Sequence, residues 1–130
     1  MRATTSRPRR EIKTRFGVLI VRDQLEPAEH IDRLRLSAVP TWSASTGFEL
    51  LWLLEHMGAR PSLVLLDLRP VTDHRAERVA DLASLAAAAK LPTILVGAHA
   101  AETKRFPDVV AALPADVTSD RIVDTVHAFA

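Results

Sequence analysis

Two carboxylates stand where chemistry is expected in this 130-residue chain. Asp23 follows the apolar run Phe16–Val21, and Asp67 ends the run Leu63–Leu66. If both runs are parallel strands, their carboxyl ends point to one rim of the sheet, where open α/β sheets bind ligands. Paired carboxylates at such a rim suit a hard cation with oxygen ligands. A carboxylate beside such a cation can also accept a phosphoryl group as a nucleophile. Asp23 and Asp67 are therefore the candidate metal ligands, with Asp67 also a candidate nucleophile.

Other reactive groupings are weaker. No two of the histidines (His30, His56, His74, His99, His127) are four apart, so a helical zinc motif is absent. Asp124 and His127 read as a solvated helix face, and His99 as a loop residue at the rim. Ser43 and Ser45 have no nucleophile-elbow spacing, and no glycine-rich phosphate loop follows the first run. The chain has no cysteine, which excludes disulfides, thiolate zinc sites and thiol nucleophiles. Trp42 and Trp52 are candidate partner anchors. Leu51, Trp52 and Leu53 cannot all face a core, so one of them is expected at the surface.

The elements that position Asp23 and Asp67 follow from hydrophobic patterning. The chain is 48% hydrophobic and 25% charged, as expected of a folded domain. No apolar run approaches the ~20 residues that span a bilayer, and the N-terminus does not read as a secretory signal, so a cytoplasmic location is expected. Short apolar runs alternate with stretches of helical spacing. That pattern implies βαβ crossovers and an α/β fold: a doubly wound, five-stranded parallel sheet, (βα)5 and flavodoxin-like, of order 2-1-3-4-5. The expected strands are 16–21, 38–43, 62–67, 93–96 and 109–113. Pro40 requires the second strand to lie at an edge.

Helices are expected at 27–36, with Ile31, Leu34 and Leu36 inward; from Thr46 through Met57, with Gly58 as stop; and from an Asp73 cap to about Lys90. In the third, Val79, Leu82, Leu85, Ala86 and Ala89 should face the sheet. A short helix should follow at 100–106. A last helix, capped by Thr118 or Ser119, should turn Ile122, Val123, Val126 and Phe129 inward. Residues 1–15 form a basic, flexible tail: six cations against Glu11 leave a net +5 within a total of +1. Residues 16–130 form one domain.

The segments Val18-Leu-Ile-Val-Arg-Asp23, Leu63-Val-Leu-Leu-Asp-Leu-Arg-Pro70 and Pro92-Thr-Ile-Leu-Val-Gly-Ala98 resemble the first, third and fourth strands of response-regulator receiver domains. Thr46-Gly-Phe-Glu-Leu50 is similar to the start of that family's second helix. The resemblance covers about residues 16–129. It implies that Asp67 is the phosphoacceptor equivalent, Asp23 one magnesium-binding acid, and Arg69 the residue whose backbone carbonyl completes the metal site. It also implies a signalling module rather than an enzyme.

Four positions depart from the family. Arg22 replaces the first of two adjacent acids, Gly97 the switch hydroxyl, Leu113 the lysine before proline, and Val110 the aromatic switch residue. A phosphoryl group adds about −1.5 to −2 charge, and the groups that would hold and neutralise it are missing. Arg22 is positioned to pair with Asp67 or Asp23 instead. The expectation is an atypical receiver, independent of phosphorylation, with weak or absent Mg²⁺ binding at Asp23 and Asp67. Its pocket is drawn from Asp23, Arg22, Arg69, Gly97 and Leu113.

The expected partner is a protein or a second copy of the chain. The face would be the family's helix 4–strand 5–helix 5 surface, near Ala111, Leu113, Ala128 and Phe129. A small ligand in a more apolar pocket between Gly97 and Leu113, or a conventional phosphoreceiver, are the alternatives. DNA would be reached through a further domain or the basic tail; no membrane contact is expected.

Overall fold

The computed structural model describes residues 17–22, 29–44, 49, 52–53, 55, 61–69 and 74–129. Their elements are β1 (Val18–Arg22), α1 (Glu29–Leu36), β2 (Thr41–Ala44), β3 (Leu63–Asp67), α2 (Arg75–Ala89), β4 (Thr93–Val96), α3 (Ala100–Thr103), β5 (Val109–Leu113) and α4 (Ser119–Ala128). The strands form one parallel sheet in the order β2-β1-β3-β4-β5. Both the strand order and the edge position of β2 match the expectation from sequence.

The continuous apolar runs are strands covered on both faces, as parallel sheets require. Every residue of β1 and β3 is buried. One face packs Val18, Ile20, Leu63 and Leu65 against Ile31 and Leu34 of α1 and Ile122 and Val126 of α4. The opposite face packs Leu19, Val21, Val64 and Leu66 against Val79, Leu82 and Ala86 of α2. Arg33 bridges α1 to Asp120 of α4, and Thr118 caps α4 by accepting the Arg121 N–H at 3.2 Å.

Several boundaries differ from expectation. Pro40 precedes β2, which starts at Thr41; the Pro40 carbonyl still accepts the Val18 N–H at 3.0 Å. α3 is a single turn, because Lys104 and Arg105 leave the helix before Phe106 tucks into the core. Leu36 is 87% exposed and Phe129 41%, so neither completes an inward stripe. Leu36 is the last residue of α1, and Phe129 lies one residue beyond the last turn of α4. Leu85 and Ala89 are only half-buried. The expected caps and stops Pro27, Thr46, Gly58 and Asp73 lie outside the described residues; His74 is the residue preceding α2. Among the described residues, no helix is long and apolar enough to cross a membrane.

Candidate functional site

The strand register carries one row of residues across the carboxyl rim of the sheet. Arg22 is paired with Asp67, Asp67 with Val96, and Val96 with Leu113. Side chains alternate along a strand, so Arg22 and Asp67 point to the same face, the one covered by α1 and α4. Both are buried, at 8% and 2% exposure. Asp23, the other expected acid, lies outside the described residues.

The cation that meets Asp67 is Arg69. Its Nε donates to Oδ1 at 3.0 Å and its Nη2 to Oδ2 at 2.7 Å, while its backbone N–H donates to Oδ1 at 3.1 Å. Of the two partners expected for Arg22, Asp67 is held by Arg69 instead, and Asp23 lies outside the described residues. The reason is local: alternation returns residue 69 to the side of residue 67, and the chain leaving β3 folds the guanidinium back over the carboxylate. Such two-pronged, charge-assisted bonds are the strong ones. Burial alone would push the Asp67 carboxyl up, but the Arg69 bonds outweigh it and hold it below the usual carboxylate range.

Gly97 makes room for this clamp. Its φ is +81°, and a Cβ built there would come within 3.0 Å of Arg69 Cγ and 3.2 Å of the Arg69 backbone nitrogen. A serine or threonine at this position would be strained by its own backbone and would press on Arg69. Glycine at 97 and the Arg69 clamp are therefore one structural choice. The Leu113 side chain turns inward. It is 6% exposed and packs in the core with Ile94 and Val96, and its carbonyl accepts the Gly97 N–H at 2.8 Å.

Two features went unread in the sequence. His30, on the first turn of α1, is 2% exposed and faces the charges of Asp67, Arg69 and Arg22; burial, its dominant influence, pushes its pKa down. The available signal was its spacing of four from Leu34, which places both on one helix face. The second is Arg75. Its Nη1 donates to the Leu68 carbonyl at 2.6 Å, its Nη2 to the Gly97 carbonyl at 2.8 Å, and its fork grips Glu102 at 2.8 and 2.9 Å. Glu102 in turn accepts the His99 N–H at 2.9 Å. One side chain therefore ties the loop after β3 to the loop after β4, and His99 serves as the start of α3.

No protein-family profile matches the chain, and no curated protein does. Solved structures do. The signal receiver domain assigned to a LuxO repressor from Vibrio parahaemolyticus superposes with a TM-score of 0.62 at 19% identity, covering 88% of each chain. The receiver domain of a CheY-like response regulator from Methylobacillus flagellatus gives 0.61 at 16%, covering 88% of this chain and 98% of that one. The N-terminal domain of a three-domain response regulator, sensory-box and GGDEF protein from Carboxydothermus hydrogenoformans gives 0.59 at 22%, covering 87% and 91%.

The fold is that of response-regulator receiver domains. Within it, Asp67 closes the third strand and Gly97 follows the fourth. The exposed faces of β5 and α4 also bear on the expected receiver contact surface. Alternation on β5 buries Leu113 and half-buries Ala111, so the surface offers Val110, Ala112, Ala128 and Phe129 instead. Val110 is the extra residue of a bulge opposite Thr93 and Ile94.

Proposed function

We propose that the chain is a receiver-like signalling module of bacterial regulation that works by protein contact and without phosphorylation. The observation that carries this reading is the Arg69 clamp on Asp67. A carboxylate that gives both oxygens to a guanidinium is a poor nucleophile, because attack on a phosphoryl group must first break the charge-assisted bonds. The same guanidinium supplies the positive charge that a divalent cation would bring, so Asp67 draws Mg²⁺ weakly. Mass spectrometry after incubation with acetyl phosphate and Mg²⁺ tests the reading. The expected result is an unmodified chain; a stoichiometric phosphoryl adduct on Asp67 would overturn it.

The contact face in this proposal is the exposed strip of Val110, Ala112, Ala128 and Phe129, with a second copy of the chain as partner. Val110 and Phe129, both about two-fifths exposed, are large apolar groups on it. Light scattering across a concentration series decides the matter: a dimer that Phe129→Glu converts to a monomer is expected, and a parent chain that stays monomeric counts against self-association.

A further inference from the structure

The two edges of the sheet are closed to different degrees. β2 starts just after Pro40 and carries Thr41 and Ser43, and proline and polar residues are common guards of an edge. β5, the other edge, reads Val-Val-Ala-Ala-Leu, with neither charge nor proline. Its Leu113 carbonyl accepts the Gly97 N–H and so faces β4. Backbone groups alternate along a strand, which turns the N–H and C=O of Ala112 and Val110 outward, away from β4. Exposure alternates in step: Val110 and Ala112 are exposed, Val109 and Ala111 half-buried, Leu113 buried. α3, the helix between β4 and β5, is one turn long and leaves Val110 40% exposed.

Charge is unequal at the two ends of this strand. Lys104, Arg105 and Asp108 precede its amino end, two cations against one carboxylate, and Asp116 follows its carboxyl end; all four are exposed. Among the described residues none of the four takes part in an ion pair. A second copy laid antiparallel along β5 brings each amino end to the other's carboxyl end. Lys104 and Arg105 then meet the partner's Asp116 on both sides of a two-fold axis, whereas parallel pairing would set like ends together. A two-fold contact of this kind closes on itself and leaves no β5 edge open.

We infer that β5 is the edge at which two copies of the chain join, antiparallel, into one continuous sheet. The inference rests on the self-contact proposed above and specifies its geometry. The outward groups fix the register: Val110 exchanges hydrogen bonds with the partner's Ala112, and Ala111 falls on the axis opposite its own copy. A pair in that position, between two hydrogen-bonded pairs, has its Cα atoms about 4.5 Å apart. The small side chains of Ala111 and Ala112 admit this approach. Main-chain hydrogen bonds then supply affinity, and the charges at the strand ends set direction.

The chain has no cysteine, so Ala111→Cys introduces a single thiol on the axis, within the Cα separation of a disulfide. Mild oxidation should convert most of this variant to a covalent dimer, and Ala112→Cys, which faces Val110 of the partner subunit, should cross-link several-fold more slowly. In the parent chain the Ala112 amide should exchange about tenfold more slowly with solvent at concentrations where light scattering shows a dimer. Lys104→Glu with Arg105→Glu should weaken the dimer about tenfold, and adding Asp116→Lys should restore it. A parent chain that is monomeric throughout overturns the self-contact and this pairing together, and leaves the edge to a strand of another protein. A dimer whose Ala112 exchange is indifferent to concentration, or in which Ala111→Cys oxidises no faster than Ala112→Cys, overturns the edge pairing alone and leaves the self-contact standing.

Discussion

The Arg69 guanidinium lies edge-on to the Asp67 carboxylate, two residues away, with Nε 3.0 Å from Oδ1 and Nη2 2.7 Å from Oδ2. The pair is asymmetric in its surroundings. Asp67 is almost wholly enclosed, whereas the Arg69 side chain keeps 28% of its surface. Removing one partner therefore differs from removing the other. A buried carboxylate left alone suffers the full cost of desolvation, while a half-exposed guanidinium can turn to water.

Arg69→Ala is accordingly the more damaging change. It should destabilise the fold by about 2–3 kcal/mol, below the full cost of breaking a buried pair because water can reach the vacated side. Asp67→Asn should lose about 1 kcal/mol. Urea unfolding monitored by tryptophan emission measures both. Carbon-13 titration of the Asp67 carboxyl should show its pKa rising once Arg69 is gone.

Gly97 and Arg69 should behave as a coupled pair. Gly97→Ser places a Cβ at a positive φ and against Arg69, costing about 2 kcal/mol in the parent chain. In an Arg69→Ala background the contact with Cγ is removed while the 3.2 Å contacts with the residue 69 backbone and the strain of the positive φ remain, so the cost should fall only in part, to about 1.5 kcal/mol. Equal costs in both backgrounds would show that the contact with the Arg69 side chain carries no energy.

The dependence of stability on pH has two limbs. His30 has its pKa pushed down from 6.5 by burial. The unfolded chain thus binds this proton more readily, and stability falls as pH drops below about 6.5. The carboxylates act at lower pH. Glu102 is lowered from 4.5 to about 2, mainly by its bonds from Arg75, and Asp67 is lowered as well. Their contributions are complete above the unfolded carboxylate range and are lost as pH falls toward 2. Chemical denaturation at a series of pH values should show His30→Gln flattening the upper limb and Glu102→Gln the lower.

Arg75→Met keeps the aliphatic stem but cuts the bonds to Leu68, Gly97 and Glu102. Hydrogen exchange should accelerate at the amides of Gly97 through Thr103, and stability should fall by about 1–3 kcal/mol. The amides of β1 should exchange as in the parent chain, since they lie in the sheet interior.

Strand order and the rim position of Asp67 were legible in the sequence because they follow from short-range patterning. Apolar runs such as Leu63–Leu66 mark the central strands, and the edge position of β2 was read from Pro40, which the fold sets just before the strand rather than within it. The placement of Gly97 and Leu113 near Asp67 came from the resemblance to receiver domains, and the register sets Val96 beside Asp67 with Leu113 next to it. Leu36 and Phe129 were misplaced because periodicity does not say how far a neighbouring helix extends to cover the last turn.

What the sequence determined by itself is the parallel sheet and the position of Asp67 at its carboxyl rim. Both are consequences of local periodicity and of the right-handed crossover. Only the tertiary structure decided that Arg69 rather than Arg22 holds Asp67, that Gly97 is needed beneath Arg69, and that Arg75 reaches Glu102 across 27 residues. Those contacts depend on side-chain direction and on how closely two loops approach. Neither is encoded in residue spacing, because both arise from packing elements that are distant along the chain.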